Sequence, residues 1–291
     1  MAMSKGAPVG PRVAAGLHLV ATPIGAARDI TLRAIDILTG ADVLAAEDTR
    51  TLRHLMEIHG IPVAGRPMIA YHDHNGAAVR PRLIAALKDG KSVAYASEAG
   101  TPLVADPGYQ LARSAIEAGL PVLAAPGASA VLCALTVSGI ASDRFTFMGF
   151  LPNKSAGRKA VLREVHGMPS SLIFYESPHR LAASLKEMRD CLGPERNAAV
   201  CRELTKKFEE VTRGTLSELA EAFANRDVKG EIVVVVDRGS VAAVSAEDLE
   251  RALTSALQSK SVKEASSMVA EKFGLSKREA YQMALKLNAT N

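Results

Sequence analysis

The first half of the chain alternates short, almost unbroken apolar runs with longer segments whose apolar residues recur at three- and four-residue spacing. The runs at 17–22, 43–46, 93–96 and 122–124 are too short for helices and show no polar face. They predict strands of a parallel sheet buried on both sides. Between them, 32–38, 51–58, 82–88 and 110–118 have helical spacing, and Gly60, Gly90 and Gly119 stand where C-terminal helix caps belong. Alternating strand and helix predicts an open α/β sheet with its ligand site beyond the carboxyl ends of the strands. In the second half, strands are expected at 145–150, 171–175, 198–202, 209–214 and 231–237, and helices at 156–165, 179–191 and 216–225. Thr215 and Glu218 have capping-box spacing at the start of the last helix. Some of these strands follow one another directly, which predicts a mixed sheet. Residues 125–127 and 138–143 form the expected seam between the halves.

After Asp237 the strand pattern stops. Ser245, Ser261 and Ser276 each precede an acid by three residues, the spacing of a helix start, and predict three short helices. So small a bundle is an appendage rather than a domain with a large core of its own. The expected division is a loose tail at 1–15, α/β domains at 16–125 and 126–240, and a helical extension at 245–291.

A chain of 291 residues with 48% hydrophobic composition has material for about two cored domains, which excludes a wholly disordered protein. No run approaches the roughly 20 apolar residues of a membrane span, and the start of the chain has no signal-peptide core. Cys133, Cys191 and Cys201 are widely spaced in apolar contexts. They fit buried thiols in a reducing cytoplasm better than a disulfide framework. The net charge of +4 is compatible with a nucleic-acid substrate without demonstrating one. In the tail, Lys277 and Arg278 open the third helix, which reads either as a recognition helix or as a solvated face.

The chain has neither a G-x-G-x-x-G after its first strand nor a P-loop, which argues against a dinucleotide site and a P-loop NTPase. It does have Pro/Gly/polar loops directly after its strands: 21–25, 47–50, 97–108 and 126–130. Small residues there let backbone groups approach a ligand, and four such loops on one sheet edge point to a small-molecule site. Glu47, Asp48 and Arg50 are the densest charge at that edge. They read either as a base with a phosphate-binding fork or as a helix N-cap with a solvated Arg. His72 and His74 flank Asp73, but no other cluster supplies further ligands, so no metal is expected. Lys206 and Lys207 end a strand and read as phosphate contacts or as surface charge.

Taken in order, Thr22-Pro23-Ile24-Gly25, Glu47-Asp48-Thr49-Arg50, the 97–108 segment, 126–130, Phe174-Tyr175-Glu176-Ser177-Pro178-His179-Arg180 and Lys229-Gly230-Glu231-Ile232 resemble the tetrapyrrole methylase superfamily, and within it the members that methylate ribosomal RNA. The resemblance spans residues 16–237, and the helical tail is similar to the helix-turn-helix extension of those members. It implies two α/β domains of a class III methyltransferase, S-adenosylmethionine in the cleft between them, and usually a homodimer. It also implies 2′-O-methylation of a cytidine in the decoding region of 16S rRNA, with the small ribosomal subunit as partner. The cofactor contacts it implies are Pro23, Ile24, Gly100, Thr101, Val104, Ser129, Ala130, Tyr175, Leu204 and Ile232. Where the superfamily has Gly-Asp-Pro this chain has Gly100-Thr101-Pro102, so backbone groups rather than a carboxylate would hold the methionine part. The expected catalytic residues are Asp48, Glu47 and Arg50, either acid taking the proton, with Arg50 also on RNA beside Lys206, Lys207, Lys277 and Arg278. Competing readings are a methylase of a tetrapyrrole or other small acceptor, and a non-catalytic RNA-binding or ribosome-assembly factor.

Overall fold

The computed structural model describes residues 11–104, 108–239, 246–258, 260–273 and 277–290. The first unit runs β1 (Gly16–Val20), α1 (Leu32–Gly40), β2 (Val43–Ala46), α2 (Thr49–Ile58), β3 (Met68–Ala70), α3 (Gly76–Lys88), β4 (Ser92–Ala96), α4 (Tyr109–Glu117) and β5 (Val122–Ala125). Its strands form an all-parallel sheet in the order β3-β2-β4-β1-β5. The register puts Ala70, Ala46, Ala96, Val20 and Ala125 in one row across the carboxyl end, so every following loop leaves the sheet from the same line. One face is closed by α1 and α2 over Leu38, Leu44 and Met56, the other by α3 and α4 over Tyr71, Leu83, Tyr95 and Leu111.

β5 departs from the expectation of a strand buried on both sides. It is an edge strand, with Leu123 exposed. The tail is also more fixed than expected at 11–15: Val13 packs against the α1–α2 core and His18 Nε2 bonds the Ala14 carbonyl at 2.8 Å. Residues 1–10 lie outside the described residues.

The second unit comprises α5 (Ala130–Ser138), β6 (Phe145–Phe150), α6 (Ser155–Glu164), β7 (Ser171–Glu176), α7 (Leu181–Leu192), β8 (Asn197–Arg202), β9 (Glu210–Thr215), α8 (Leu216–Ala222) and β10 (Ile232–Val236). The sheet order is β6-β7-β10-β8-β9. Only β6 and β7 are parallel, so the sheet is mixed as expected. The Thr215–Glu218 capping box is formed reciprocally. Three helices, α6, α7 and α8, bury Leu162, Phe174, Leu185, Met188 and Val234 on one face. The opposite face takes α5, with Ala134 and Leu135 over Ile173, Cys201 and Val235, and Ile24 from the first unit completes that cluster. Of the three thiols only Cys201 is buried; Cys133 and Cys191 are half-buried.

The tail folds as α9 (Ala246–Leu257), α10 (Val262–Phe273) and α11 (Lys277–Thr290) around Leu249, Leu253, Ala265, Val269 and Ala284. The Ser261–Glu264 capping box is present. Ser245 and Ser276 fall outside the described residues. Among the described residues no helix is long and apolar enough to cross a membrane.

Candidate functional site

A cleft of about 730 Å³ opens where the carboxyl-end loops of the first sheet face the second. That is ample for a nucleoside-sized ligand. Pro23 and Ile24 reach it from the β1 loop, Gly100, Thr101 and Val104 from the β4 loop, and Ser129 and Ala130 from the start of α5. Tyr175, Leu204 and Ile232 form the far wall. The residues expected at a cofactor therefore share one cavity, although they are spread over more than 200 positions of sequence.

The β4 loop is built to hold its shape. Thr22 N donates to Gly100 O at 3.0 Å and Gly100 N to Thr22 O at 3.1 Å, while Ser97 Oγ donates to Gly100 O and Thr101 Oγ1 to Ala128 O at 2.9 Å. Gly100 has φ +80°, and a Cβ there would lie 3.1 Å from Ile24 Cγ2. Three non-glycine residues beside the cleft also carry left-handed backbone: Leu103 (φ 71°), Glu203 (φ 51°) and Thr205 (φ 64°). Such residues cost about 1–3 kcal/mol each and persist where the surroundings over-determine them.

Charge on the lining comes from Glu47, Glu98, Glu176 and Glu231 against Lys206. Glu176 is buried, accepts from Ser184 Oγ and Ser177 N, and pairs with Arg180, whose Nη2 also donates to Leu151 O at 2.7 Å. Lys206 Nζ donates to Glu203 Oε1 at 2.8 Å and Glu231 Oε2 at 2.9 Å. Burial lowers its pKa, and these two bonds outweigh burial and raise it. The expected phosphate contact by Lys206 thus meets an ammonium already neutralised between two carboxylates, which makes it a clamp between the β8 and β10 ends. Burial pushes the Cys201 thiol up to about 12, so it stays protonated, and burial beside Glu231 raises the Tyr175 phenol.

The two neighbouring acids part company. Glu47 lines the cleft; Asp48 does not. Asp48 caps α2, accepting from Arg50 N at 2.7 Å and from Arg50 Nη2 at 2.7 Å. Arg50's side-chain and backbone bonds bring the Asp48 carboxyl down to about 2. So weak a proton acceptor, held outside the cleft, does not suit the base role expected for Asp48. The N-cap alternative describes it. Arg50 itself is 90% exposed beyond that pair. Lys207 is exposed. Lys277 and Arg278 open α11, their side chains outside the described residues. His72 and His74 stay off the cleft, and among the described residues no group of three metal-ligating side chains forms.

A cleft at the carboxyl edge, floored by pinned glycine loops and closed by a second mixed sheet, is a fold-level observation. The comparison that decides the family is a match of residues 16–220 to the Tetrapyrrole (Corrin/Porphyrin) Methylases model. The chain belongs to that family. A second model, the RsmI C-terminal HTH domain, matches residues 243–288 of this methylase. A relative from Mesorhizobium japonicum named Ribosomal RNA small subunit methyltransferase I is 49% identical over 94% of this chain and 93% of its own length. One of the same name from Pseudomonas aeruginosa is 42% identical over 92% and 96%. Among solved structures, uroporphyrin-III C-methyltransferase from Thermus thermophilus, complexed with S-adenyl homocysteine, aligns with TM-score 0.53 at 20% identity, over 76% of this chain and 96% of that one, a likeness of fold.

The methylase's cofactor is S-adenosylmethionine, and the cleft fits it. Ile24, Val104, Ala130, Leu204 and Ile232 give an apolar bed beside Tyr175, the backbone at Thr101 gives polar contacts, and the carboxylates suit a cationic sulfonium. No side-chain carboxylate is needed at 101, where Thr101 instead ties the loop to Ala128. Glu98, Glu176 and Glu231 were missed as lining residues. Glu176 and Glu231 lay within quoted motifs, and Glu98 follows a strand as Glu47 does. Gly100→Ala is expected to weaken cofactor binding roughly 5–30-fold, the left-handed strain of about 1–2 kcal/mol being relieved by moving the loop. Calorimetric titration checks this, and an unchanged Kd would remove the β4 loop from the cofactor site.

Proposed function

We propose that the protein transfers a methyl group from S-adenosylmethionine to the 2′-hydroxyl of a cytidine ribose in the decoding region of 16S rRNA, acting in the cytoplasm on the small ribosomal subunit. The observation that carries this reading is the near-full-length identity with relatives named Ribosomal RNA small subunit methyltransferase I, tail included. In this reading 16–125 and 126–240 are two domains enclosing the cofactor, and 245–291 is an RNA-docking extension that uses Lys277 and Arg278. The bound cofactor supplies an electrophilic methyl. Glu47 Oε takes the proton from the ribose hydroxyl, while the pinned loops at 22–25 and 97–101 fix donor against acceptor and exclude water. Arg50 and Lys207 hold flanking phosphates, and Asp48 holds Arg50 in place. A homodimer is proposed with it.

The test is transfer of labelled methyl to small subunits lacking their native methylations, followed by mapping of the label. Label in one cytidine ribose is the expected result. Label on a base, or transfer only to a small-molecule acceptor, would overturn it.

A further inference from the structure

The loop between β8 and β9 is held more tightly than a surface connection requires. Glu203 N donates to Glu231 O and Glu231 N to Glu203 Oε1, both at 2.9 Å. Lys206 N donates to Glu203 O at 2.9 Å, and Glu209 Oε2 accepts from Thr205 N. Thr205 Oγ1 also accepts from Ala26 N at 3.1 Å. Contact with the β1 loop is so close that a Cβ on Gly25 would lie 2.5 Å from Lys206 Cγ and 2.6 Å from Thr205 Oγ1. With left-handed backbone at Glu203 and Thr205, this fixes the direction of the tip.

The tip carries Lys207 and Phe208. Phe208 is 63% exposed and belongs to none of the cores. Lys207 Nζ lies 5.5 Å from the centre of its ring. Leu204 and Lys206 of the same loop line the cleft, and Phe208 follows two residues after Lys206. Arg28, exposed and without an ion pair among the described residues, lies two residues beyond the Ala26–Thr205 bond. An aromatic ring with one cation against it and a second cation on the loop bonded to its own is an arrangement suited to single-stranded nucleic acid, the ring under a base and the cations on its phosphates.

We propose that Phe208 is a stacking platform for an unpaired nucleobase flanking the methylated nucleotide, with Lys207 and Arg28 on the adjoining phosphates. This rests on the reading of the acceptor as RNA. It places Phe208 as a positioning residue that acts on acceptor binding rather than on the transfer itself.

The chain contains no tryptophan, so Phe208→Trp introduces one at the tip that can be excited apart from the five tyrosines. Titration of the full-length, cofactor-loaded variant with a single-stranded oligoribonucleotide is expected to quench its emission, and the same sequence as a duplex is expected to leave it bright. In methyl transfer to small subunits, Phe208→Ala is expected to raise KM about 5–150-fold, the range of base–aromatic stacking. Cofactor Kd and kcat should stay near wild type. Phe208→Tyr should restore KM, and Phe208→Leu should behave as Ala. Equal quenching by duplex, a Phe208→Leu variant with wild-type KM, or a Phe208→Ala variant altered in cofactor Kd or in oligomeric state would each overturn the stacking role. Failure of the wild type to methylate any RNA would instead refute the acceptor reading, while the fluorescence titration still decides whether the ring stacks on bases.

Discussion

Glu47→Gln is expected to lower kcat by about 10²–10⁴-fold, the usual contribution of a positioned base, with cofactor affinity unchanged. Glu47 directly follows Ala46, the β2 member of the aligned row, whose backbone is fixed by pairing with both β3 and β4. Its side chain lines the cleft that Asp48 leaves. Glutamine keeps the shape and the hydrogen-bonding reach but cannot take a proton. The informative control is Asp48→Asn. Asparagine caps a helix about as well as aspartate, so α2 should survive while the pair with Arg50 is lost. A modest rise in acceptor KM with kcat retained is the expected outcome there. Single-turnover rates with saturating cofactor separate the two. Wild-type kcat in the Glu47 variant would end its assignment as the base.

Arg158→Ala is expected to cost about 3–5 kcal/mol of stability, because it strands a buried carboxylate. At a few degrees per kcal/mol for a chain of this size, the melting temperature should fall roughly 6–20 °C at neutral pH. Arg158 Nε and Glu187 Oε2 lie 2.5 Å apart with side chains 6% and 10% exposed, joining α6 to α7, and Ser155 Oγ supplies Glu187's other bond at 2.6 Å. Burial alone raises the Glu187 pKa; the bonds from Arg158 and Ser155 outweigh it and bring it below 4.5. In the wild type this carboxylate therefore contributes stability above the unfolded pKa and loses it as pH falls through the lowered value. In the variant burial is opposed only by Ser155 and Lys159, and the deficit is largest at pH 7 and shrinks as falling pH, toward about 4.5, protonates the carboxylate. Thermal unfolding at both pH values checks the sign. Arg158→Met with Glu187→Leu should recover most of the loss, since apolar residues of similar volume replace such pairs at little cost. A single variant as stable as the wild type would show that water already reaches this pair.

The elements legible in the sequence were those with one clean period. The doubly buried strands β2 and β4 read as short apolar runs, and α7 and α8 as helical segments, the second opened by the Thr215–Glu218 box. β3 escaped because three residues between Pro67 and Tyr71 are too few to alternate. The start of α3 escaped because Pro81 reads as a helix break, yet the helix begins at Gly76 and carries the proline inside. α5 escaped for a different reason. Ala130–Ser138 is apolar but for Thr136 and Ser138 and has no polar stripe, since one side packs on the second sheet and the β1 loop while the other leaves Leu132 exposed. At the site, the small-residue loops announced where a ligand approaches, since they follow strands of one parallel sheet. What sequence could not show was how the charges are spent. Lys206 looks free until Glu231, 25 residues later, is folded against it, and Asp48 looks like a base until α2 begins at Thr49.

β10 is made last among the strands and lies in the middle of its sheet, between β7 and β8. A growing chain therefore carries two open strand edges from the moment β8 leaves the ribosome until Ile232–Val236 slides between them. The cleft shares that timetable, because Ile232 and Val233 form part of its wall. A nascent copy of this methylase thus lacks one wall of the cleft for its methyl donor until Ile232–Val236 has been made. During that interval a chaperone covering the edges of β7 and β8 would protect the sheet and the active centre together.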